Sequence, residues 1–412
     1  MTSKNDCIII VGGGAAGMIA GIYAADGCKN VIVFEKNKFP GRKLRITGKG
    51  RCNITNSADI SDFFKNIPVN SKFLYSALYS YTNDDIVALL ESAGVKTKVE
   101  RGGRVFPVSD SANEVADALW NILKKKKVKI IRDEVTEITV SEGEATGVKV
   151  KSGAVYSGKV ILATGGVSYP VTGSDGKGLK MAEKIGHTVT ELKASLVPVT
   201  SDEKWVRSLS GLSLKNVNLT VFDGKKEIFS ELGEMLFTHF GVSGPLVLSA
   251  SSHMRNFNQH NYRLCIDLKP GLDSAKLDAR ILRDFEGEQN RDIINGLDKL
   301  LPKALIPVII SKSGIAEHKK INSITKEERT ALVNTIRALT VIPSGFRPVS
   351  EAIITSGGIS VKEINPSTME SKLYKNLYFA GEMIDVDAYT GGYNLQIAWS
   401  TGYLAGINAS ES

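Results

Sequence analysis

A glycine-rich turn near the N-terminus constrains the fold of this chain more than any other segment. The sequence VGGGAAG at residues 11–17 directly follows a short apolar run, CIIIV, that is typical of a buried strand. An Ala-rich apolar stretch typical of a helix comes next, and residues 31–35, VIVFE, indicate a second strand. This order predicts a βαβ unit with its glycines at the start of the helix.

The turn and the residue that ends the second strand together predict a dinucleotide site. Gly12, Gly14 and Gly17 would let backbone N–H groups and the helix dipole approach a pyrophosphate. Glu35 lies eighteen residues beyond Gly17, where a carboxylate can accept hydrogen bonds from both adenosine ribose hydroxyls. The same carboxylate would repel a 2′-phosphate, which disfavours NADP at this turn. An ordinary strand–turn–helix is the alternative.

Two further segments have the composition of ligand-binding backbone. Residues 41–56, GRKLRITGKGRCNITN, are too rich in glycine and polar residues for a core element, so we interpret them as a ligand-wrapping loop. Positive charge would come to it from Arg42, Lys43, Arg45, Lys49 and Arg51, although a flexible basic surface loop is the alternative. Residues 163–166, ATGG, end another predicted strand and would bring backbone close to a bulky group.

The segment AGEMIDVDAYTGGYNLQIAWSTG at residues 380–402 favours FAD over NAD. Gly381 and Glu382 end a predicted strand, where a carboxylate can hold ribityl hydroxyls. Gly391 and Gly392 precede a predicted helix, whose N-terminus would stabilise the negative charge that reduction places on the flavin pyrimidine edge. An NAD dehydrogenase would need only the first half of this arrangement.

Composition narrows the class of ligand and the compartment. The 412 residues carry a net charge of +8, but the lysines are dispersed without aromatic interleaving, which favours anionic small molecules over nucleic acid. The four cysteines form no close pair, so we expect neither a metal site nor a dithiol reductase. No apolar run approaches the ~20 residues of a membrane span, and no signal peptide is evident, so we expect a cytoplasmic protein.

The pattern of apolar residues predicts two domains. Residues 1–195 and 345–412 have the α/β texture of a discontinuous nucleotide-binding domain, and residues 196–344 form an insertion. Within the insertion, 196–270 and about 339–344 look β-rich, and 271–338 look helical. In the first domain, Ser111 and Glu114 predict a capping box at the start of a helix.

These segments, with GEMLFTHFGVSGP (233–245) and EINPSTMESKL (363–373), resemble the bacterial HI0933-like flavoproteins, also called the BaiN-like or aminoacetone-oxidase-like family. The resemblance spans nearly the whole chain. It implies an α/β fold with a Rossmann-type FAD-binding domain of the two-dinucleotide-fold type, interrupted by a β-barrel and a helical subdomain. Lys49, Ser356 and Ala388 depart from the family's glycines, and Lys49 could change the charge near the active site.

The resemblance also implies the residues that contact FAD. They are Gly12, Gly14, Ala15, Ala16 and Gly17 at the pyrophosphate, Glu35 at the ribose with Lys36 beside it, Arg42, Lys43, Leu44, Arg51, Cys52 and Asn53 along the cofactor, Val135, Ala163, Thr164 and Gly165 on the adenine side, Gly381 and Glu382 at the ribityl chain, and Gly392, Asn394, Leu395 and Gln396 at the isoalloxazine.

We expect an FAD-dependent oxidoreductase that transfers hydride between a small-molecule substrate and flavin N5, with NAD(P) or oxygen as acceptor. Family substrates as different as aminoketones and bile-acid thioesters leave the reaction open. Without a second GxGxxG, a nicotinamide donor would bind transiently. His239 and Tyr393 are candidate proton handlers, although a packed, hydrogen-bonded histidine is the alternative. An RNA-modifying flavoprotein and a non-catalytic FAD-binding protein are the other hypotheses.

Overall fold

The chain forms two compact units, Met1–Ser195 with Pro348–Ser412 and Leu196–Arg347. The structure, a computed structural model, describes residues 7–254 and 257–411 of the 412. The insertion expected at 196–344 lies within the second unit. We describe each unit by itself.

The strands are numbered in chain order. They are β1 (Cys7–Val11), β2 (Asn30–Phe34), β3 (Thr55–Asn56), β4 (Thr97–Glu100), β5 (Arg104–Pro107), β6 (Lys129–Ile131), β7 (Val135–Ser141), β8 (Glu144–Val150), β9 (Val155–Ser157), β10 (Lys159–Leu162), β11 (Lys193–Ser195), β12 (Val199–Thr200), β13 (Ser213–Asp223), β14 (Lys226–Thr238), β15 (Gly241–Ser243), β16 (Tyr262–Asp267), β17 (Leu339–Val341), β18 (Gly345–Phe346), β19 (Ile354–Ser356) and β20 (Leu377–Phe379).

The α-helices are numbered in the same way. They are α1 (Ala15–Gly27), α2 (Ile60–Phe63), α3 (Tyr75–Ser80), α4 (Asn83–Ser92), α5 (Ala112–Lys125), α6 (Lys177–Lys184), α7 (Lys204–Ser208), α8 (Pro245–Ser251), α9 (Ser274–Glu286), α10 (Ile306–Lys312), α11 (Lys326–Arg337) and α12 (Tyr393–Glu411). Within the described residues, none of these helices combines the length and hydropathy needed to cross a membrane.

A five-stranded parallel sheet forms the centre of the first unit, in the order β20-β10-β1-β2-β6. Its strands are continuous apolar runs because helices cover both faces of such a sheet. Ile9 and Ile10 of β1 are fully buried. Since β1 lies between β10 and β2, the turn that leaves β1 emerges beside the carboxyl ends of both neighbours. The Rossmann-type α/β fold and the βαβ unit are therefore confirmed.

Helices α1 and α12 pack closely beside this sheet because α12 presents glycines to α1. An added Cβ at Gly402 would lie 2.4 Å from the carbonyl oxygen of Ala16, and one at Gly406 would lie 2.5 Å from that of Ala20. Both helices are apolar around most of their circumference, as expected for buried helices. This contact joins the C-terminal part of the chain to the helix that begins at the glycine-rich turn.

Three small antiparallel sheets complete the first unit: β7-β8-β9, β3-β5-β4 and β11-β19. In the second unit, a seven-stranded antiparallel sheet has the order β17-β16-β13-β14-β15-β12-β18. The amphipathic helices α9 and α11 bury their apolar residues in the same core as the strands of this unit.

One local prediction is wrong. Helix α5 begins after Ser111 as expected, but the Ser111 side chain makes no capping hydrogen bond. The Glu114 carboxylate instead accepts a hydrogen bond from the Ser109 hydroxyl, and the Ser111 N–H donates to that hydroxyl oxygen at 3.3 Å. Ser109 therefore takes the partner that the capping box would need.

We expect Gly402→Ala and Gly406→Ala each to lower the free energy of unfolding by about 1–3 kcal/mol, because the added Cβ collides with α1. In an unobstructed helix, Gly→Ala instead stabilises by roughly 0.5–1 kcal/mol. Urea unfolding followed by circular dichroism measures the change. In the control Gly287→Ala, the new Cβ would have no described heavy atom within 4 Å. Equal effects at all three positions would contradict the close helix contact.

Candidate cofactor site

The turn after β1 is fixed by a close approach to the end of β10. Gly12 has φ +106°, and an added Cβ would lie 2.6 Å from the carbonyl oxygen of Ala163. An added Cβ at Gly17 would lie 1.9 Å from the carbonyl oxygen of Gly12. Two of the three motif glycines are therefore required by protein packing alone, whatever the turn binds.

The middle glycine has a different environment. Gly14 is the N-cap of α1, and no described heavy atom lies within 4 Å of the position that its Cβ would take. Helix α1 begins at Ala15, and its first turn, which includes Ala16, contains no acidic residue. The N–H groups of a first helical turn have no intrahelical acceptor and attract anions. The geometry at Gly14 fits a pyrophosphate, and a side chain here would fill that space.

The Glu35 carboxylate is held beside this turn. Its Oε2 accepts a hydrogen bond from the Gly13 N–H at 2.9 Å, and its Oε1 accepts two from Asn37, at 2.7 Å from the backbone and 2.8 Å from the side chain. A carboxylate oxygen can accept more than one hydrogen bond, so capacity is left for hydroxyl donors. The position matches a ribose-binding acid.

Sequence reasoning missed Asn37, which also donates to the Thr172 carbonyl at 3.1 Å. Lys36 forms an ion pair with Asp175 at 2.9 Å. Burial alone would raise the pKa of Asp175, but the bonds from Lys36 and from the Lys177 backbone lower it. An amide two residues after Glu35 was the available signal for Asn37.

Much of the positive charge of the loop at 41–56 is neutralised within the protein. Arg45 pairs with Asp117 at 2.6 Å. Arg51 donates to Asp110 at 2.6 Å and also bonds Glu100, and these hydrogen bonds raise the pKa of the guanidinium. Arg51 therefore shares its positive charge with two carboxylates, and its contact with the cofactor stays a prediction. Arg42 is exposed.

Lys43 belongs to a polar cluster that joins distant parts of the chain. Its Nζ donates to Glu382 Oε2 at 2.5 Å and to Ser168 Oγ at 2.6 Å. Glu382 Oε1 accepts hydrogen bonds from Ser168 Oγ and from the Thr355 N–H, each at 2.9 Å. Burial alone would raise the pKa of Glu382, but the Lys43 charge and these hydrogen bonds lower it. The carboxylate therefore stays ionised at neutral pH.

The glycines at 165 and 166 allow this cluster to form. An added Cβ at Gly166 would lie 2.4 Å from Thr355 Oγ1 and 3.4 Å from Glu382 Oε1. Thr355 Oγ1 also accepts hydrogen bonds from the N–H groups of Val167 and Ser168. Sequence reasoning missed Ser168 and Thr355, whose partners are far away in the chain. The predicted residues Ala163, Thr164 and Gly165 lead into this cluster from β10.

The segment before α12 is fixed against the loop at 41–56. An added Cβ at Gly392 would lie 2.3 Å from the carbonyl group of Thr55. With its amide oriented to satisfy its neighbours, Asn53 accepts from the Gly392 N–H at 2.9 Å. Asn394 holds the preceding loop through the N–H and carbonyl of Ala388, at 2.9 and 2.6 Å. The two segments therefore lie together, as a shared cofactor site requires.

The Gln396 side chain lies in the core. Its Oε1 accepts from Thr55 Oγ1 at 2.7 Å, and its Nε2 donates to the Tyr81 carbonyl and to Ser400 Oγ, each at 3.0 Å. These bonds use the amide within the protein, so a flavin contact here would come from backbone. Neighbouring Leu395 is half-buried.

The remaining predicted residues have varied positions. Cys52 is buried, and burial raises the pKa of its thiol to about 12, so it is not a thiolate at neutral pH. Leu44 is buried, and Val135 is the first residue of β7. The buried ring of Tyr393 packs edge-on against Phe63 at 5.0 Å, in the first unit.

His239 belongs to the second unit. It is exposed in the turn between β14 and β15, with its ring edge-on to Phe240 at 5.0 Å. A turn residue of this kind is open to solvent protons, in contrast to a histidine packed in a core.

We expect Lys43→Met to lower the free energy of unfolding by about 1–3 kcal/mol at pH 7, because it leaves a half-buried carboxylate without its cation. The pKa of Glu382 is depressed in the folded protein. Its contribution to stability is therefore present above the ordinary carboxyl pKa and is lost as the pH falls through the depressed value. The difference between wild type and variant should shrink below about pH 4.

Denaturant unfolding at pH 7 and below about pH 4 measures the difference in the free energy of unfolding between wild type and Lys43→Met. Lys65→Met is the matched control, since the Lys65 side chain is 79% exposed and pairs with Asp62 at 2.6 Å. The control should lose less than about 1 kcal/mol. A loss as large in the control, or a difference that does not change with pH, would contradict the role given to Lys43.

Known proteins resemble the chain over nearly its whole length. The family described as HI0933-like protein Rossmann domain matches residues 6–408. The ribosomal RNA dihydrouridine synthase of Haemophilus influenzae is 34% identical over 409 residues, which is 98% of each chain. The Escherichia coli protein of the same name is 32% identical over 96% of each chain. The 3-dehydro-bile acid delta(4,6)-reductase of Clostridium scindens is 29% identical over 98% of each chain.

Solved structures agree on the fold. A quinol-fumarate reductase with menaquinol superposes with a TM-score of 0.53 and 15% identity, over 98% of this chain and 70% of that one. At that identity the likeness shows the fold alone. The family match and the two relatives above 30% identity go further, because each covers almost the whole chain. The chain belongs to the HI0933-like family of Rossmann-fold flavoprotein oxidoreductases.

Proposed function

We propose that the first unit binds FAD and that the protein is an FAD-dependent reductase. The observation that carries the proposal is the open backbone at Gly14, beside the anchored carboxylate of Glu35. The turn would hold the pyrophosphate and Glu35 the adenosine ribose. The first turn of α12 would face the flavin, and Glu382 would reach the ribityl chain from its cluster with Lys43.

When bound, FAD supplies hydride transfer at its N5 atom. The residues of this chain would position the cofactor and control charge around it. The α12 N-terminus would favour negative charge on the adjacent ring. Lys43 is already paired with Glu382, so its charge is shared. Arg42 and Lys49 are the exposed cations of the loop and would be best able to meet an anionic group.

The names of the relatives narrow the reaction class. Dihydrouridine differs from uridine by two hydrogens across the C5=C6 bond, which is conjugated to the C4 carbonyl. A 3-dehydro-delta(4,6) bile acid also carries carbon–carbon double bonds conjugated to a ketone. We therefore propose that this chain reduces a carbon–carbon double bond conjugated to a carbonyl group.

We propose uridine in ribosomal RNA as the substrate. Both relatives above 30% identity are named for that product, whereas the bile-acid reductase is 29% identical. The net charge of +8 suits a polyanion. The dispersed lysines alone favoured a small-molecule substrate over nucleic acid. The names of the two relatives favour RNA instead. The balanced reaction is uridine plus NAD(P)H plus a proton giving dihydrouridine plus NAD(P)+.

To test the reaction, purified protein is incubated with NADPH and ribosomal RNA from cells that lack the gene, and nucleosides are measured by mass spectrometry. We expect dihydrouridine, two mass units heavier than uridine, at a defined position. A 3-keto-4,6-diene bile acid is the competing substrate. Its reduction without any dihydrouridine would overturn the RNA substrate but keep the reaction class. Failure on both substrates, with the FAD bound, would overturn the reaction class.

His239 is the candidate donor of the proton that completes the reduction. We expect His239→Gln to lower turnover by about 10²–10⁴-fold while leaving FAD content unchanged. The matched control is His318→Gln, since His318 is also exposed in the second unit and pairs with Asp292. Stopped-flow measurement of single-turnover reduction provides the rate. Unchanged turnover in His239→Gln would remove the residue from the mechanism and leave Tyr393 as the candidate.

A further inference from the structure

Three aromatic rings form a partly exposed cluster on the first unit. Phe64, Tyr75 and Tyr79 lie in mutual contact: the centroids of Tyr75 and Tyr79 are 4.7 Å apart, and those of Phe64 lie 5.9 and 6.2 Å from them. Tyr75 is 62% exposed and Tyr79 is 45% exposed. Within the described residues, Phe39 is the other aromatic side chain of comparable exposure. We call these three rings the aromatic platform.

The platform rests on a rigid base. Tyr75 and Tyr79 are four residues apart on α3, so their side chains lie on one face of the helix. Ala77 and Leu78 of the same helix are fully buried, and Phe63, which precedes Phe64, is also fully buried. The backbone that carries the rings is therefore held in place by buried neighbouring side chains. Aromatic side chains held in this way lose little conformational entropy when they bind a flat partner.

The platform is connected to the candidate cofactor site within the same unit. Phe63 packs against Tyr393, and the Asn66 carbonyl accepts a hydrogen bond from the Tyr389 N–H at 2.9 Å. Asn70 Nδ2 donates to the Asp385 carbonyl at 2.7 Å. The segment that carries the platform is thus bonded to the loop that leads into α12. A polymer with one residue in the cofactor site could extend onto the platform.

The chemistry of the platform suits unpaired bases. Residues 60–82 expose no large aliphatic side chain, so the surface offers ring faces and hydroxyls. Lys72 is exposed three residues before Tyr75, and Lys65, which follows Phe64, pairs with Asp62 at 2.6 Å. Stacking on aromatic rings tolerates any base, while nearby ammonium groups meet phosphates.

We propose that the aromatic platform stacks the unpaired nucleotides of RNA that flank the base being reduced. This inference rests on the proposed function and deepens it, since it assigns where the polymer outside the cofactor site binds. The sequence alone predicted no interleaving of aromatic and basic residues. In the fold, the Phe64 ring lies against Tyr75 and Tyr79 of α3.

The test measures binding of a fluorescein-labelled, uridine-rich single-stranded RNA by fluorescence anisotropy at fixed salt. We expect the Tyr75→Ala/Tyr79→Ala double variant to raise the Kd by about tenfold or more, since it removes two stacking faces. The Tyr75→Phe/Tyr79→Phe double variant keeps the ring faces and should stay within about twofold of wild type. Phe39→Ala, which removes an exposed ring elsewhere, is the matched control.

FAD content and the rate of flavin reduction by NADPH should be unchanged in all these variants, and the KM for RNA should rise in the double Ala variant. Wild-type affinity in the double Ala variant would overturn the platform while dihydrouridine formation by the wild type still supports the proposed function. A wild-type protein that neither binds this RNA nor forms dihydrouridine would overturn both.

Discussion

The approach of Gly12 to the carbonyl group of Ala163 determines the geometry of the whole first unit. Parallel pairing places β1 between β10 and β2, and the chain must leave β1 through a space that has no room for a side chain. Helix α1 then starts directly after its N-cap, Gly14. Because α12 packs on α1 through Gly402 and Gly406, the same turn also positions the C-terminal helix.

A second interaction joins the loops around that frame. Lys43, Ser168, Thr355 and Glu382 come from four separate parts of the chain and satisfy one another's polar groups. A buried carboxylate is costly unless it is paired and hydrogen-bonded, and here both conditions are met. The cluster holds the loop that follows β2 against the segment that follows β20, so the ends of the proposed cofactor site are fixed relative to each other.

The sequence predicted the features that depend on local patterns. The βαβ unit, the glycines and the position of Glu35 follow from strand and helix periodicity and from one motif. The sequence could not predict which charged residues form ion pairs when they lie far apart in the chain. Arg51 meets Asp110 across 59 positions and Arg45 meets Asp117 across 72, so the basic loop looked more available than it is. Gln396 was grouped with the flavin contacts, and only the packing of Thr55 and Ser400 around it reveals a core amide.

The aromatic platform was missed for the same reason, because Phe64 and the two tyrosines become neighbours only in the fold. Under the proposal, its connection to the α12 loop would let RNA that is bound on the platform reach the cofactor site. The cofactor site and the platform would then share one task, since the site would bind the reacting base and the platform its neighbours.

The most direct test of the central claim is the flavin absorbance of Gly14→Val protein compared with wild type. No described atom lies within 4 Å of the new Cβ, so the apoprotein should fold with stability within about 1 kcal/mol of wild type. The side chain would nevertheless fill the space assigned to the pyrophosphate. We predict a yellow wild type that shows the visible absorbance of bound FAD and a folded, colourless variant. A variant that retains a full complement of FAD would contradict the account.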